Sequence, residues 1–258
     1  MNDLQPASGT LSDSANHRTR RLADSPPREV LEIVQRFEQR EPITAHPFMR
    51  RLASEVPHLP HLWLLLKNFQ ISISKNFARR LAGIAGRVED DRIRCILAEQ
   101  LNDEMGRGRF EHAHVNLFAA MMERLEPWAP KVVDERVLGP GLHLDPMLKQ
   151  IYEADDVFLS LGAVMAGEVF GKQMDQFIGD QFRRQSEVDI KSLEWLVLHE
   201  ELEVTHADES SEVARLVPSG SLAACWQGAC LLSAAGWTFL DELYVLCYGS
   251  DRLTRDLS

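Results

Sequence analysis

The sequence predicts an all-α, single-domain protein, and three observations lead to this prediction. Apolar residues recur at helical spacing from about residue 28 to about residue 248, alternation with a period of two is scarce, and Pro and Gly fall mainly between the periodic segments. The 258 residues show no internal repeat and no second region of different composition. One helical domain over 28–258 is therefore expected.

The periodic segments define eight predicted helices separated by turn signals. Their ranges are 28–40, 46–56, 60–82, 88–104, 109–125, 144–180, 187–208 and 219–248. Turns are predicted at PWAP (127–130) and GPG (139–141).

Residues 1–27 precede the predicted domain and contain three Pro with few spaced apolar residues. This composition predicts a disordered tail, in which the basic run HRTRRL (17–22) is a candidate localisation or partner signal.

Net charge, the length of the apolar runs and cysteine spacing argue against several functional classes. The net charge of −11 argues against nucleic-acid and anionic membrane partners, which are bound through positive charge. The apolar runs at 62–66 and 157–167 fall short of the roughly 20 residues that cross a bilayer. The four cysteines form no CxxC pair and no signal peptide is evident, so reduced thiols and a cytoplasmic protein are expected.

The segment HEELEVTHADE (199–209) carries the sharpest chemical signal. At about 100° per residue, His199, Glu203 and His206 lie within about 60° of one another on a helix. Imidazole and carboxylate ligands together suit Fe, Mn or Zn. The alternative is a solvated acidic helix face with two incidental histidines.

Two further segments supply candidate ligands. Glu168 follows an apolar helical run and is expected to be buried, where either a metal ion or Lys172 at i+4 would compensate its charge. Glu104 and His114 flank a Gly-containing helix junction that can aim both side chains at one point. His114 has apolar neighbours, whereas His112 faces another side of the helix and is, with Asp208, a candidate to orient the ligands.

The three segments together offer three carboxylates and three histidines, which would hold two iron or manganese ions. ExxH spacing at Glu111–His114 and Glu203–His206 raises a ferritin-like diiron bundle as a rival. That site needs a glutamate on the preceding helix, but residues 56–88 contain no Asp or Glu, and His199 would have no role.

The order DEMGRGRFEHAH (103–114), a glutamate in an apolar helix and HEELEVTH (199–206) resembles the heme-oxygenase-like diiron oxidases and oxygenases. The resemblance implies a heme-oxygenase-like helical bundle without heme. It also implies two Fe(II) ions, O2 as co-substrate, and the following six iron ligands: Glu104, His114, Glu168, His199, Glu203 and His206. Glu203 departs from the family, which usually has Asp at this position.

The implied activity is oxidation of a small amino-acid, amine or fatty-acid-like substrate, by N-oxygenation, carbon–carbon cleavage or desaturation. An amino-acid-like or amine substrate is preferred, with Arg107 and Arg109 as candidate partners of a substrate carboxylate. An electron donor and a symmetric homodimer are compatible with this interpretation.

Two alternatives belong to other classes. A metal-independent enzyme of the thiaminase II or pyrroloquinoline quinone synthase type would need a pocket without metal, with Cys225 or Cys230 as nucleophile in the thiaminase case. A non-enzymatic helical partner-binding protein would tolerate replacement of all three histidines.

Overall fold

The computed structural model describes residues 12–54 and 58–249, and no β-strand occurs among them. Within the helix Glu194–Leu216, the side chains of residues 200–205 and 207 are outside the described part. The all-α prediction is confirmed. The α-helices, in chain order, are α1 (Asp13–Ala23), α2 (Leu31–Gln39), α3 (Pro47–Ser54), α4 (Leu59–Phe69), α5 (Phe77–Ala85), α6 (Asp91–Glu104), α7 (His114–Arg124), α8 (Glu135–Tyr152), α9 (Val157–Arg183), α10 (Glu194–Leu216) and α11 (Leu222–Tyr248).

Helix α9 forms the centre of the bundle and packs against α10 on one side and α11 on another. The backbones of α9 and α11 approach closely at Gly162 and Gly228. A Cβ atom on Gly162 would lie 1.9 Å from the carbonyl oxygen of Cys225, and one on Gly228 would lie 1.9 Å from that of Leu159. Only glycine allows this contact at either position.

Two of the predicted helices are each divided in the structure. The prediction of one helix over 144–180 is wrong, because α8 ends at Tyr152 and Asp156 caps α9 by accepting a hydrogen bond from the Phe158 amide. The predicted helix 60–82 contains α4, a π-helical turn over Gln70–Ser74, and the first part of α5.

The turn predicted at residues 139–141 is also wrong, because Pro140 lies inside α8. Proline interrupts the helical hydrogen bonds, and the buried Asn68 of α4 compensates. Its Nδ2 donates to the Val137 carbonyl oxygen at 2.9 Å, and its Oδ1 accepts from the Gly141 amide at 2.8 Å. The helix therefore continues past Pro140 because a neighbouring helix supplies the missing polar partners.

The predicted disordered tail is wrong for its described part, residues 12–27, because these residues include α1. Helix α1 packs against α11 and buries Arg18. The Arg18 guanidinium lies 4.1 Å from the centre of the Trp237 ring and donates to Ser233 Oγ and to the Glu41 carbonyl oxygen. The basic run thus belongs partly to the core, whereas residues 1–11 lie outside the described ones.

One described helical stretch, Ser219–Tyr248, is long and apolar enough by length and composition to cross a membrane. The core helix of a soluble protein passes the same test, and 67% of the most apolar window is buried inside the protein.

Candidate metal centre

The junction between α6 and α7 brings Glu104 and His114 together. Gly106, Arg107 and Gly108 have φ angles of 67°, 53° and 81°, so the chain turns through three successive left-handed residues. A Cβ on Gly106 would lie 2.5 Å from the Ala113 amide nitrogen, which makes glycine necessary there. The turn leaves Glu104 Oε1 only 3.0 Å from His114 Nδ1.

His199 of α10 completes a group of three converging side chains. Its Nε2 lies 3.0 Å from His114 Nδ1. One ligand atom from each of Glu104, His114 and His199 lies within 4.8 Å of the others, and all three residues are buried. Two consecutive helices and a third that is distant in sequence therefore present nitrogen and oxygen donors to one point.

Glu168 of α9 and His206 of α10 form a second pair beside this group. Both are buried, and His206 Nδ1 lies 3.6 Å from Glu168 Oε2. Lys172, the alternative partner of Glu168, instead contacts Glu38 at 3.1 Å. The charge of Glu168 is thus not compensated by the lysine at i+4.

Several other sequence candidates lie away from this centre. Glu111 and Asp208 are exposed, and His112 is half-buried outside the converging group. Arg109 is exposed, and Arg107 pairs with Asp103 at 2.7 Å. The side chain of the sixth predicted ligand, Glu203, lies outside the described residues.

Asp175 is a residue of the centre that the sequence interpretation missed. It lies two turns after Glu168 on α9, is buried, and places Oδ2 3.2 Å from His199 Nδ1. The seven-residue interval from Glu168 puts both carboxylates on one helix face, and this spacing was the signal that could have revealed it. Trp195, also not predicted, packs on His199 with ring centres 4.0 Å apart.

The buried carboxyl groups of the centre differ in their electrostatic surroundings. Burial raises the pKa of Glu104, but its hydrogen bond with His114 and the neighbouring histidine charges bring the net pKa below its ordinary value. Burial raises the pKa of Asp175, and the hydrogen bond with His199 offsets this only in part. The surroundings therefore stabilise the anion of Glu104 but not that of Asp175.

These donors fit a transition-metal ion. Glu168 Oε1 and Asp175 Oδ1 are buried without a hydrogen-bond partner among the described residues, although buried carboxylate oxygens normally have one. Imidazole nitrogens and carboxylate oxygens form a ligand set that suits iron or manganese. A bound cation would compensate the buried carboxylates.

A cavity opens directly onto this centre. It contains about 1050 Å³ of space free of protein atoms, part of which is open to solvent, and its surface is almost entirely apolar. Where it meets the candidate metal centre, the cavity is lined by Glu104, His114, Glu168, Asp175 and His199. Its apolar wall includes Phe69, Ile73, Leu144, Phe170, Met174 and Phe239.

Helical proteins that bind a metal ion in the bundle core hold it with histidine and carboxylate side chains from facing helices, as in this arrangement. The sequence matches the model of the iron-containing redox enzyme family over residues 70–237, which is more than half of the chain. The chain belongs to this family.

Solved structures support the fold. The chain is similar to a CADD-like protein of unknown function from Nostoc punctiforme PCC 73102, determined at 2.00 Å, with a TM-score of 0.65 and 17% identity over 90% of this chain and 97% of that one. A 1.35 Å structure with the same description gives a TM-score of 0.63 and 16% identity over 96% and 97% of the two chains. The comparison with curated proteins gives no significant match.

Proposed function

We propose that this protein is a non-heme iron oxidase or oxygenase that uses two Fe(II) ions and O2 to oxidise a fatty-acid-like substrate. The observation that carries the proposal is the buried convergence of Glu104, His114 and His199 at the end of an apolar cavity. Membership of an iron-containing redox enzyme family supports iron as the metal.

Five described residues would hold the metal: Glu104, His114, Glu168, His199 and His206. Glu203, on the same helix as the two α10 histidines, is the proposed sixth ligand. The bound iron would supply O2 activation and the redox equivalents of the reaction. The protein supplies ligand geometry and a cavity wall that keeps most water away from the reacting bond.

The lining of the cavity favours a fatty-acid-like substrate over the amino-acid or amine substrate preferred from sequence. A substrate ammonium group would need a carboxylate partner, but the lining acids belong to the metal centre. Arg80 also lines the cavity, and its Nε has no hydrogen-bond partner among the described residues. Asp145 already pairs with the other end of this guanidinium, at 2.6 Å. An apolar chain with one carboxylate matches these surroundings.

The thiaminase-type alternative is less well supported. Cys225 and Cys230 are buried, and neither lines the cavity. Burial raises the pKa of each thiol to about 12, whereas a nucleophilic cysteine needs an accessible thiolate at neutral pH.

The first test is metal content after anaerobic loading with Fe(II), followed by stopped-flow absorbance on mixing with O2. We expect about two iron ions per chain, as a six-ligand His–carboxylate site provides, and a transient visible band. O2 consumption should accelerate with saturated carboxylic acids and not with amino acids. A protein that binds no iron under these conditions contradicts the proposal.

Variants locate the site in the same experiment. His199→Ala removes a converging ligand and should lower the iron content to about one ion per chain or less. The matched control is His143→Ala, because His143 is an exposed histidine on α8 whose contact is Glu242. Glu203→Gln should reduce iron binding whereas Glu203→Asp should keep it. An equal iron content per chain in all four variants would show that the metal binds elsewhere.

A further inference from the structure

Asp175 is a buried acid at the centre that the six-ligand set does not use. Only 2% of its surface is exposed, and it lies in the middle of the 27-residue helix α9. A carboxylate in such surroundings is costly unless a specific partner stabilises it. The nearest such partner in the structure is the imidazole of His199.

The two nitrogens of His199 face different neighbours. Nδ1 lies 3.2 Å from Asp175 Oδ2, whereas Nε2 lies 3.0 Å from His114 Nδ1, on the side of Glu104. A hydrogen bond from Nδ1–H to the carboxylate would keep the proton on Nδ1. The lone pair of Nε2 would then point at the convergence of the three donors.

The geometry assigns Asp175 to positioning rather than to direct ligation. The group whose ligand atoms converge within 4.8 Å consists of Glu104, His114 and His199, without Asp175. Trp195 covers the His199 ring from another direction, at 4.0 Å between ring centres. Two neighbours thus restrict the orientation of one imidazole.

We propose that Asp175 is a positioning residue of the metal site, which accepts a hydrogen bond from His199 Nδ1 and holds Nε2 toward the metal. This inference rests on the proposed metal site. A carboxylate behind a histidine ligand fixes the ring orientation and makes the imidazole a stronger donor.

The test is Asp175→Asn in the full chain, with affinity for Fe(II) measured by anaerobic competition titration. Asparagine keeps the size and one acceptor oxygen but removes the negative charge. We expect affinity to fall by about 10- to 100-fold, the usual effect of losing such a partner. The absorption spectrum of the Co(II)-substituted protein should also change, since the donor strength of His199 changes.

The matched control is Asp241→Asn. Asp241 is equally buried and pairs with His46 Nε2 at 2.9 Å, but it neither lines the cavity nor belongs to the converging group. This variant should lower thermal stability and leave Fe(II) affinity and the Co(II) spectrum unchanged. The comparison separates a role in metal binding from the general cost of disturbing a buried His–Asp pair.

The possible results distinguish this inference from the proposed function. Wild-type protein that binds no metal contradicts the proposed function itself. If the wild-type protein binds Fe(II) and the Asp175→Asn variant binds it with the same affinity, only the positioning role is overturned. Should the variant not fold, nitrogen-15 NMR of histidine in the metal-free wild type decides, because the inference requires His199 with its proton on Nδ1 and is overturned by a proton on Nε2.

Discussion

His46, just before α3, makes one hydrogen bond with the Phe48 amide of α3 and one with Asp241 of α11, and the first of these needs the neutral imidazole. The Phe48 amide donates to Nδ1 at 3.0 Å, so Nδ1 carries no proton and Nε2–H donates to Asp241 Oδ1 at 2.9 Å. Burial lowers the pKa of His46 below its ordinary 6.5 despite the neighbouring Asp241, and the charge of Arg18 lowers it further. Protonation of Nδ1 would displace the Phe48 amide.

This geometry predicts acid sensitivity. Below pH 6.5 the unfolded chain binds a proton at His46 that the folded protein does not, so the free energy of unfolding falls as the pH falls toward the lower pKa of the folded state. Urea unfolding of the metal-free protein between about pH 8 and about pH 5 measures this loss. The His46→Gln variant should lose less stability than wild type over the same range, and an identical pH dependence would contradict the role of His46.

An individual site residue was predictable from the sequence when its immediate neighbours in the chain indicated whether it would be buried. His114 was chosen over His112 because its neighbours are apolar, and the structure buries it. Asp175 was missed because its partner, His199, is 24 residues away and belongs to another helix. The seven-residue spacing places Asp175 on the same helix face as Glu168, but its contact with His199 is tertiary and does not follow from that spacing.

At the scale of elements, the contact between α9 and α11 depends on small residues rather than on large apolar ones. Gly228 places its Cα against the Leu159 carbonyl oxygen, where no side chain fits. Added volume in such a contact forces the two backbones apart. The distance between these helices sets the width of the cavity, because both of them line it.

We therefore expect Gly228→Ala to lower the free energy of unfolding by about 1 to 3 kcal/mol, as overpacking of a close contact typically does. Gly83 of α5 is the control, because a Cβ there meets nothing within 4 Å. Gly83→Ala should raise stability by roughly 0.5 to 1 kcal/mol through helix propensity. Chemical denaturation of both variants measures these changes, and a neutral effect of Gly228→Ala would show that α11 shifts without cost.

The elements themselves were predictable where one helix face is apolar and its ends carry local signals. The predicted range 219–248 closely matches α11 (Leu222–Tyr248). The turn expected at 139–141 failed because Pro140 usually ends a helix, and the compensating Asn68 lies on another helix. The prediction of a disordered tail failed for a similar reason. The basic run has no apolar periodicity in the sequence, yet Arg18 packs on Trp237 of another helix.

At the scale of the whole molecule, the candidate metal centre joins four helices. The described candidate ligands come from α6, α7, α9 and α10, which are separated by up to about one hundred residues in sequence. Ions that bind all of these helices at once bind the folded state in preference to the unfolded chain. Metal binding and global stability are therefore expected to be coupled.

Anaerobic addition of Fe(II) or Mn(II) should raise the unfolding temperature. At a metal concentration 100-fold above Kd, stabilisation of about 2.7 kcal/mol is expected, which corresponds to about 5 to 10 °C for a chain of this size. Differential scanning calorimetry with and without metal measures the shift, and a chelator should reverse it. The unfolding temperature of His199→Ala should rise less than that of wild type, and an equal rise in that variant would place the stabilising ion outside the centre.

The amide of Asn68 also has a consequence for the order of folding. A peptide of residues 135–152 alone lacks this amide, so its helix should break at Pro140. We therefore expect α8 to become continuous only once α4 has docked, so that Leu144 and Leu148 reach the cavity wall only in that assembled pair. The cavity is therefore expected to form late in folding, from helices that complete one another.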